Sequence, residues 1–137
     1  VETELMLVGK AAPCIYFRTR MGEDGAHAET YNLIVFDFST PKKKHYHGLN
    51  LWKWKEEWPE GTRSYKNWAL LASWAFPVPL NERIKIAVET KGPDIKVFYN
   101  DQLKGTVYDS DALAEGLVGI CSCEGVNNFY TFSVRRD

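Results

Sequence analysis

Arg83-Ile84-Lys85-Ile86-Ala87-Val88-Glu89-Thr90 alternates strictly, with Ile84, Ile86 and Val88 pointing one way and Lys85, Ala87 and Glu89 the other. A period of two is the mark of a strand with one buried and one open face. Ile95, Val97 and Tyr99 repeat the pattern, and Asn100-Asp101 with Gly105 supply the turn chemistry for a hairpin to the next strand. Outward from this pair, short apolar runs return about every ten residues, punctuated by Gly, Pro, Asn and Asp. The predicted strands are Thr3 to Val8, Cys14 to Arg20, Tyr31 to Phe38, Gly48 to Lys55, Trp68 to Trp74, Arg83 to Thr90, Ile95 to Asn100, Leu103 to Tyr108, Leu117 to Cys123 and Phe129 to Arg135. This rhythm predicts an all-β fold, an antiparallel two-sheet sandwich. Ser110 to Glu115 is the one helical candidate, too short to be more than a turn, with Asp109 or Ser110 as its cap.

The 137 residues suit a single domain spanning 1-137, one able to bury roughly two thirds of the surface its unfolded chain exposes. No repeat, low-complexity segment or proline-rich linker suggests a boundary. The composition, 45% hydrophobic and 26% charged, is that of a globular protein. A net charge of −1 excludes the broad basic field of nonspecific nucleic-acid binding, and no apolar run approaches the roughly 20 residues that cross a bilayer. Neither nucleic acid nor membrane is therefore an expected partner. The cationic run Lys42-Lys43-Lys44 follows Pro41 and reads as a solvated loop. The sequence starts at Val1 with no leader, the pattern of an excised module or a mature product.

Three cysteines cannot all pair with one another. Cys121 and Cys123, two apart on a strand, share a face. A reduced, partly buried set is the default expectation, with a bridge from Cys14 to either of the others as the alternative. Zinc would need a fourth ligand, and neither His45 nor His47 lies near a cysteine in sequence.

Candidate ligand-binding residues fall in three groups. Arg18 and Arg20 share a face with Tyr16 if the strand is regular, and two planar guanidinium forks beside a phenol suit sugar hydroxyls or a carboxylate; a solvated face with ion pairs is the competing reading. Trp52 and Trp54 share one face of their strand, Leu49 and Leu51 the other, so the tryptophans are either core or a platform on which a pyranose stacks. Trp58 lies in the irregular connection Glu56 to Lys66, where an aromatic is harder to bury, while Trp68 and Trp74, six apart, read as core on a common face. Glu124, Asn127 and Asn128 surround Gly125 in an expected turn between the last two strands and could recognise hydroxyls, as could Asp37 at a strand end. No paired-carboxylate strand motif, nucleophile elbow, phosphate loop or zinc-protease helix is present, so no catalytic residue is assigned and the chain reads as a non-enzyme.

Tyr16-Phe17-Arg18, Leu49 to Lys53, Leu70-Leu71-Ala72-Ser73 with Phe76-Pro77, Ile84 to Glu89 with Lys91-Gly92, Ile95 to Asp101, Gly116 to Ile120 and Phe129 to Val134 together resemble the concanavalin A/laminin G-like sandwiches. These include small non-catalytic carbohydrate-binding modules of glycoside hydrolases, fructan-binding ones among them. The likeness covers nearly the whole chain but rests on core and turn positions. It implies a jelly-roll whose ligand lies on the concave face or at a loop edge, held by an arginine, acids and an aromatic. Arg18, Arg20, Trp54, Trp58 and Glu124 are the residues that would fill those parts. It further implies a polysaccharide or oligosaccharide partner, a covalently attached catalytic domain, and a secreted or cell-surface location. No cofactor is expected; calcium, which some relatives bind, is demanded by no dense Asp/Asn cluster here. Two other readings remain: a structural or protein-interaction sandwich, and a small glycoside hydrolase or lyase of the same fold.

Overall fold

The alternating stretches form the strands they predict. A computed structural model describes residues 1–22, 27–36, 47–56 and 67–135, and these carry β1 (Glu2–Met21), β2 (His27–Phe36), β3 (Gly48–Lys55), β4 (Trp68–Trp74), β5 (Arg83–Lys91), β6 (Asp94–Tyr99), β7 (Gln102–Tyr108) and β8 (Leu117–Ser133). All pairing is antiparallel. Asn100 and Asp101, at φ 48° and 67°, make the two-residue turn between β6 and β7 that the sequence predicts. Residues 109–116 form a turn and no helix.

The ten predicted strands become eight because the first and last pairs each fuse. Gly9 and Pro13 read as punctuation, yet β1 continues through them: shifts of register between Leu7 and Gly9, Gly9 and Ala12, and Ala12 and Pro13 absorb both residues. The expected turn around Gly125 is likewise a bend inside β8, where Gly125 takes φ 67°. Bulges re-aim a strand without ending it.

These two bent strands join the layers. Toward its C-terminal end β1 pairs with β2, and β3 and β4 follow outward; toward its N-terminal end it pairs with β5, and β6 and β7 follow. β8 accompanies β1 through both, from Glu2 opposite Ser133 to Thr19 opposite Leu117. Among the described residues each layer thus has five strand segments, and the result is the two-sheet antiparallel sandwich expected from the sequence. Inward-facing Leu5, Leu7, Ile15 and Phe17 of β1 meet Tyr31, Leu33 and Val35 of β2, Leu49 and Leu51 of β3, Ile84, Ile86 and Val88 of β5, and Ile95 and Val97 of β6 in one buried cluster. Burying each such side chain is worth roughly 1.5 to 3 kcal/mol.

Trp68 and Trp74 do not share a face. A register shift in β4 opposite Leu51 and Trp52 flips the strand between them. Trp74 packs against the core and its indole covers Gly105 of β7, where a Cβ would lie 2.8 Å from the ring nitrogen. Trp68 lies with Trp52 and Trp54 on the other side of the sheet. The cysteines also depart from the default: directly opposed across β1 and β8, Cys14 and Cys121 form a disulfide.

Gly48 opens β3 at φ 108°, and a Cβ there would come within 2.1 Å of the Trp74 carbonyl oxygen. Neither the dihedral nor a backbone neighbour can relax. Gly48→Ala is therefore expected to destabilise the fold by about 2 kcal/mol or more, read as a lower denaturation midpoint in urea with an unchanged slope.

Candidate functional site

β1 loses regular register between Phe17 and Arg20. Arg18 sits at φ 48°, a left-handed conformation that costs a long side chain about 1 kcal/mol or more and that concentrates at functional positions. The bend carries Arg18 away from its neighbours toward the loop edge, where Nη1 donates to the carbonyls of Gly92 at 2.7 Å and Leu113 at 3.2 Å. Its Nε is buried without a partner.

Beneath Arg18 lies a charged knot. Lys53 belongs to an inward-facing row of β3, and its side chain is 3% exposed. Its ammonium donates to Asp109 Oδ2 at 2.7 Å and to the carbonyl of Asp111. The Tyr31 hydroxyl donates to the same Asp109 oxygen at 2.6 Å and accepts the amide of Leu113 at 3.1 Å. The amide of Asp111 donates to Asp109 Oδ1 at 3.0 Å, closing an Asx turn. A buried ammonium with a carboxylate on it is stable only when further hydrogen bonds support both, and here Asp109 accepts three. Burial alone would push the Asp109 carboxyl up, but the hydrogen bonds from Lys53, Tyr31 and Asp111, with the Lys53 charge, hold it below the 3.8 of a free aspartate. Burial, then the bond to Asp109, pushes the Tyr31 phenol well above its ordinary range.

The knot fixes residues 109–113 against the first sheet, that of β2, β3 and β4, and an open depression of about 500 Å³ lies between that segment and the β5–β6 turn. Arg18, Gly92, Pro93, Tyr108, Ser110 and Glu115 line it. Tyr108 is 69% exposed. An exposed ring, a fixed guanidinium, a hydroxyl and a carboxylate around a shallow bowl can stack one face of a sugar and bond its hydroxyls. Asp109, accepting three hydrogen bonds and held ionised, offers no proton for acid catalysis.

Of the candidate ligand-binding residues that fall among the described residues, only Arg18 lines this depression. Arg20 pairs instead with Glu29 at 3.1 Å, its side chain 64% exposed. The ring of Tyr16 lies across Gly119 of β8. The bulge at Arg18 is what separates the three from the common face that regular alternation implies. Trp52 and Trp54 are half-buried on the outer side of the first sheet, each edge-on to Trp68 at 6.3 and 6.5 Å between ring centres, and Trp52 packs on Ala12, Cys14, Ile34 and Phe36. Asn127 is a strand residue opposite Leu7, and its amide donates to Ser122 Oγ; Asn128 lies opposite Met6. Glu124 is backbone-paired with Ala12. Trp58, Asp37, Lys42-Lys43-Lys44, His45 and most of the Glu56 to Lys66 connection lie outside the described residues.

Two signals in the sequence point to this edge. Tyr108 ends a β7 alternation that turns Thr106 and Tyr108 outward. Lys53 and Lys55 suggest that the Leu49 and Leu51 face runs out to solvent, but the structure corrects this: Lys53 continues the buried Leu49–Leu51 row, where a lysine demands an acid.

No family model matches the sequence, and no curated protein matches it. Among solved structures, the carbohydrate-binding module CBM66 from Bacillus subtilis is similar, with a TM-score of 0.67 at 17% sequence identity over 93% of this chain and 68% of that one. At this identity the likeness is one of fold.

Because the folded-state pKa of Asp109 is depressed, its stabilisation is present above the unfolded value and is lost as pH falls through the folded one, that is, below about pH 4. Asp109→Asn is expected to flatten the acid limb of the stability profile measured by urea denaturation. Lys53→Met strands the carboxylate and is expected to cost about 3 kcal/mol at neutral pH.

Proposed function

We propose that this chain is a non-catalytic carbohydrate-binding module, of the concanavalin A/laminin G-like kind, that brings an attached carbohydrate-active enzyme to a polysaccharide or glycan outside the cell. The observation that carries this reading is the depression in which the exposed Tyr108 ring stands beside the anchored Arg18 guanidinium, with Ser110 and Glu115 on the rim. A pyranose or furanose ring would stack its C–H face on Tyr108 while Arg18 and Glu115 bond adjacent hydroxyls as donor and acceptor. Such a site is preformed, since the Lys53–Asp109–Tyr31 knot and the two carbonyls on Arg18 hold it without ligand, and preformed sites lose little entropy on binding. The similarity in fold to a carbohydrate-binding module supports the same reading. Trp52, Trp54 and Trp68 form a second aromatic surface, on the outer side of the first sheet, that could take an extended chain.

A second reading rests on the C-terminal end of the chain, where Val126, Tyr130 and Phe132 of β8 are 60%, 38% and 42% exposed and Val134, just past the strand, is 46% exposed. Exposed apolar side chains so close together suit packing against a protein, and they would make this an interaction sandwich.

Retardation in native gels containing plant, fungal or bacterial polysaccharides, backed by a glycan array, separates these readings. Retention by at least one polysaccharide is expected, with Tyr108→Ala weakening it about tenfold at an unchanged melting temperature and Trp54→Ala leaving it intact. Loss of retention in Trp54→Ala alone moves the site to the tryptophan face. Silence across the whole panel overturns the carbohydrate reading.

A further inference from the structure

Cys14, Cys121 and Cys123 bring three sulfurs together beside the Trp52 face, all within 4.8 Å of one another. The strand period places them there: Cys121 and Cys123 are two apart on β8 and share a face, and β1 sets Cys14 directly opposite Cys121. In the oxidised chain Cys14 and Cys121 are bonded, and the Cys123 sulfur stands 3.5 Å from that of Cys14 and 3.9 Å from that of Cys121. Cys123 is thus almost equidistant from the two bonded sulfurs. Exchange requires a thiolate aligned with the S–S bond, behind one sulfur, so the arrangement does not favour disulfide shuffling.

It fits a different chemistry. Sulfurs bound tetrahedrally to zinc at about 2.3 Å are separated from one another by about 3.8 Å. The two distances from Cys123 already bracket that edge. The third edge opens when the disulfide is reduced: two external thiols each give up one electron and one proton, leave as their own disulfide, and release Cys14 and Cys121 as thiols at nonbonded separation. We infer that the reduced chain holds one soft divalent cation, zinc or cadmium, on the thiolates of Cys14, Cys121 and Cys123, and that the disulfide is the alternative state of the same site. Binding expels three thiol protons and leaves a complex of net charge −1. Among the described residues no histidine, carboxylate or further cysteine joins the three sulfurs. Cys14 is fully buried, Cys121 half-buried and Cys123 exposed, so the open vertex faces solvent and takes water or a small anion.

The test uses the full chain reduced with a phosphine under inert gas and titrated with cadmium, whose thiolate charge-transfer absorbance reports sulfur ligation directly. One ion per chain, a melting temperature above that of the reduced metal-free chain, and neither effect in the oxidised chain are expected. Zinc should displace the cadmium band in competition. Cys123→Ser, which leaves the disulfide pair in place, should weaken cadmium binding by on the order of 100-fold once reduced. Absence of the thiolate band, or binding by reduced Cys123→Ser as tight as that of the parent chain, overturns the inference. If reduction unfolds the chain, refolding on addition of zinc supports the site, and failure to refold counts against it.

Discussion

The pairing of β1 with β8 is the constraint on which the rest depends. Both strands run through the two layers, and they bend together because each inserts residues that the other does not match. β1 hydrogen-bonds β2 toward one end and β5 toward the other, so neither sheet can assemble fully until this ribbon is in place. The ribbon also brings together residues more than a hundred positions apart, which makes its closure entropically costly. The disulfide between Cys14 and Cys121 lies across this same long-range contact.

Alternation made the layers legible in the sequence: the Ile84, Ile86, Val88 and Ile95, Val97 rows lie in the core where their period of two puts them. What could not be read were the irregularities. Gly9, Pro13 and Gly125 look in sequence like the ends of strands, because turns and bulges use the same residues for the same backbone reasons. Only the partner strand decides between them. The same ambiguity displaced the candidate site. One bulged residue at Arg18 detached it from Tyr16 and Arg20, and one shift in β4 sent Trp68 and Trp74 to opposite faces. Face assignments fail beyond an irregularity, since a slip of one position inverts every side chain that follows.

The charged knot shows a second limit. A lysine in an apolar row was visible from Lys53 in sequence, but its acid lies 56 positions away in a turn between β7 and β8. The knot converts that turn into a rigid shelf, and the depression beside it owes its shape to a polar interaction under the site rather than to residues lining it. A buried ion pair here specifies where a loop must lie, which hydrophobic burial, being non-directional, does not do.

The opposition of Glu2 and Ser133 across the ribbon has a consequence for architecture. Val1 and Val134 therefore leave neighbouring strands on the same side of the sandwich, a strand's width apart. Tension applied between those two points would open the ribbon one hydrogen-bonded pair at a time from that end, like a zip, instead of shearing both sheets at once.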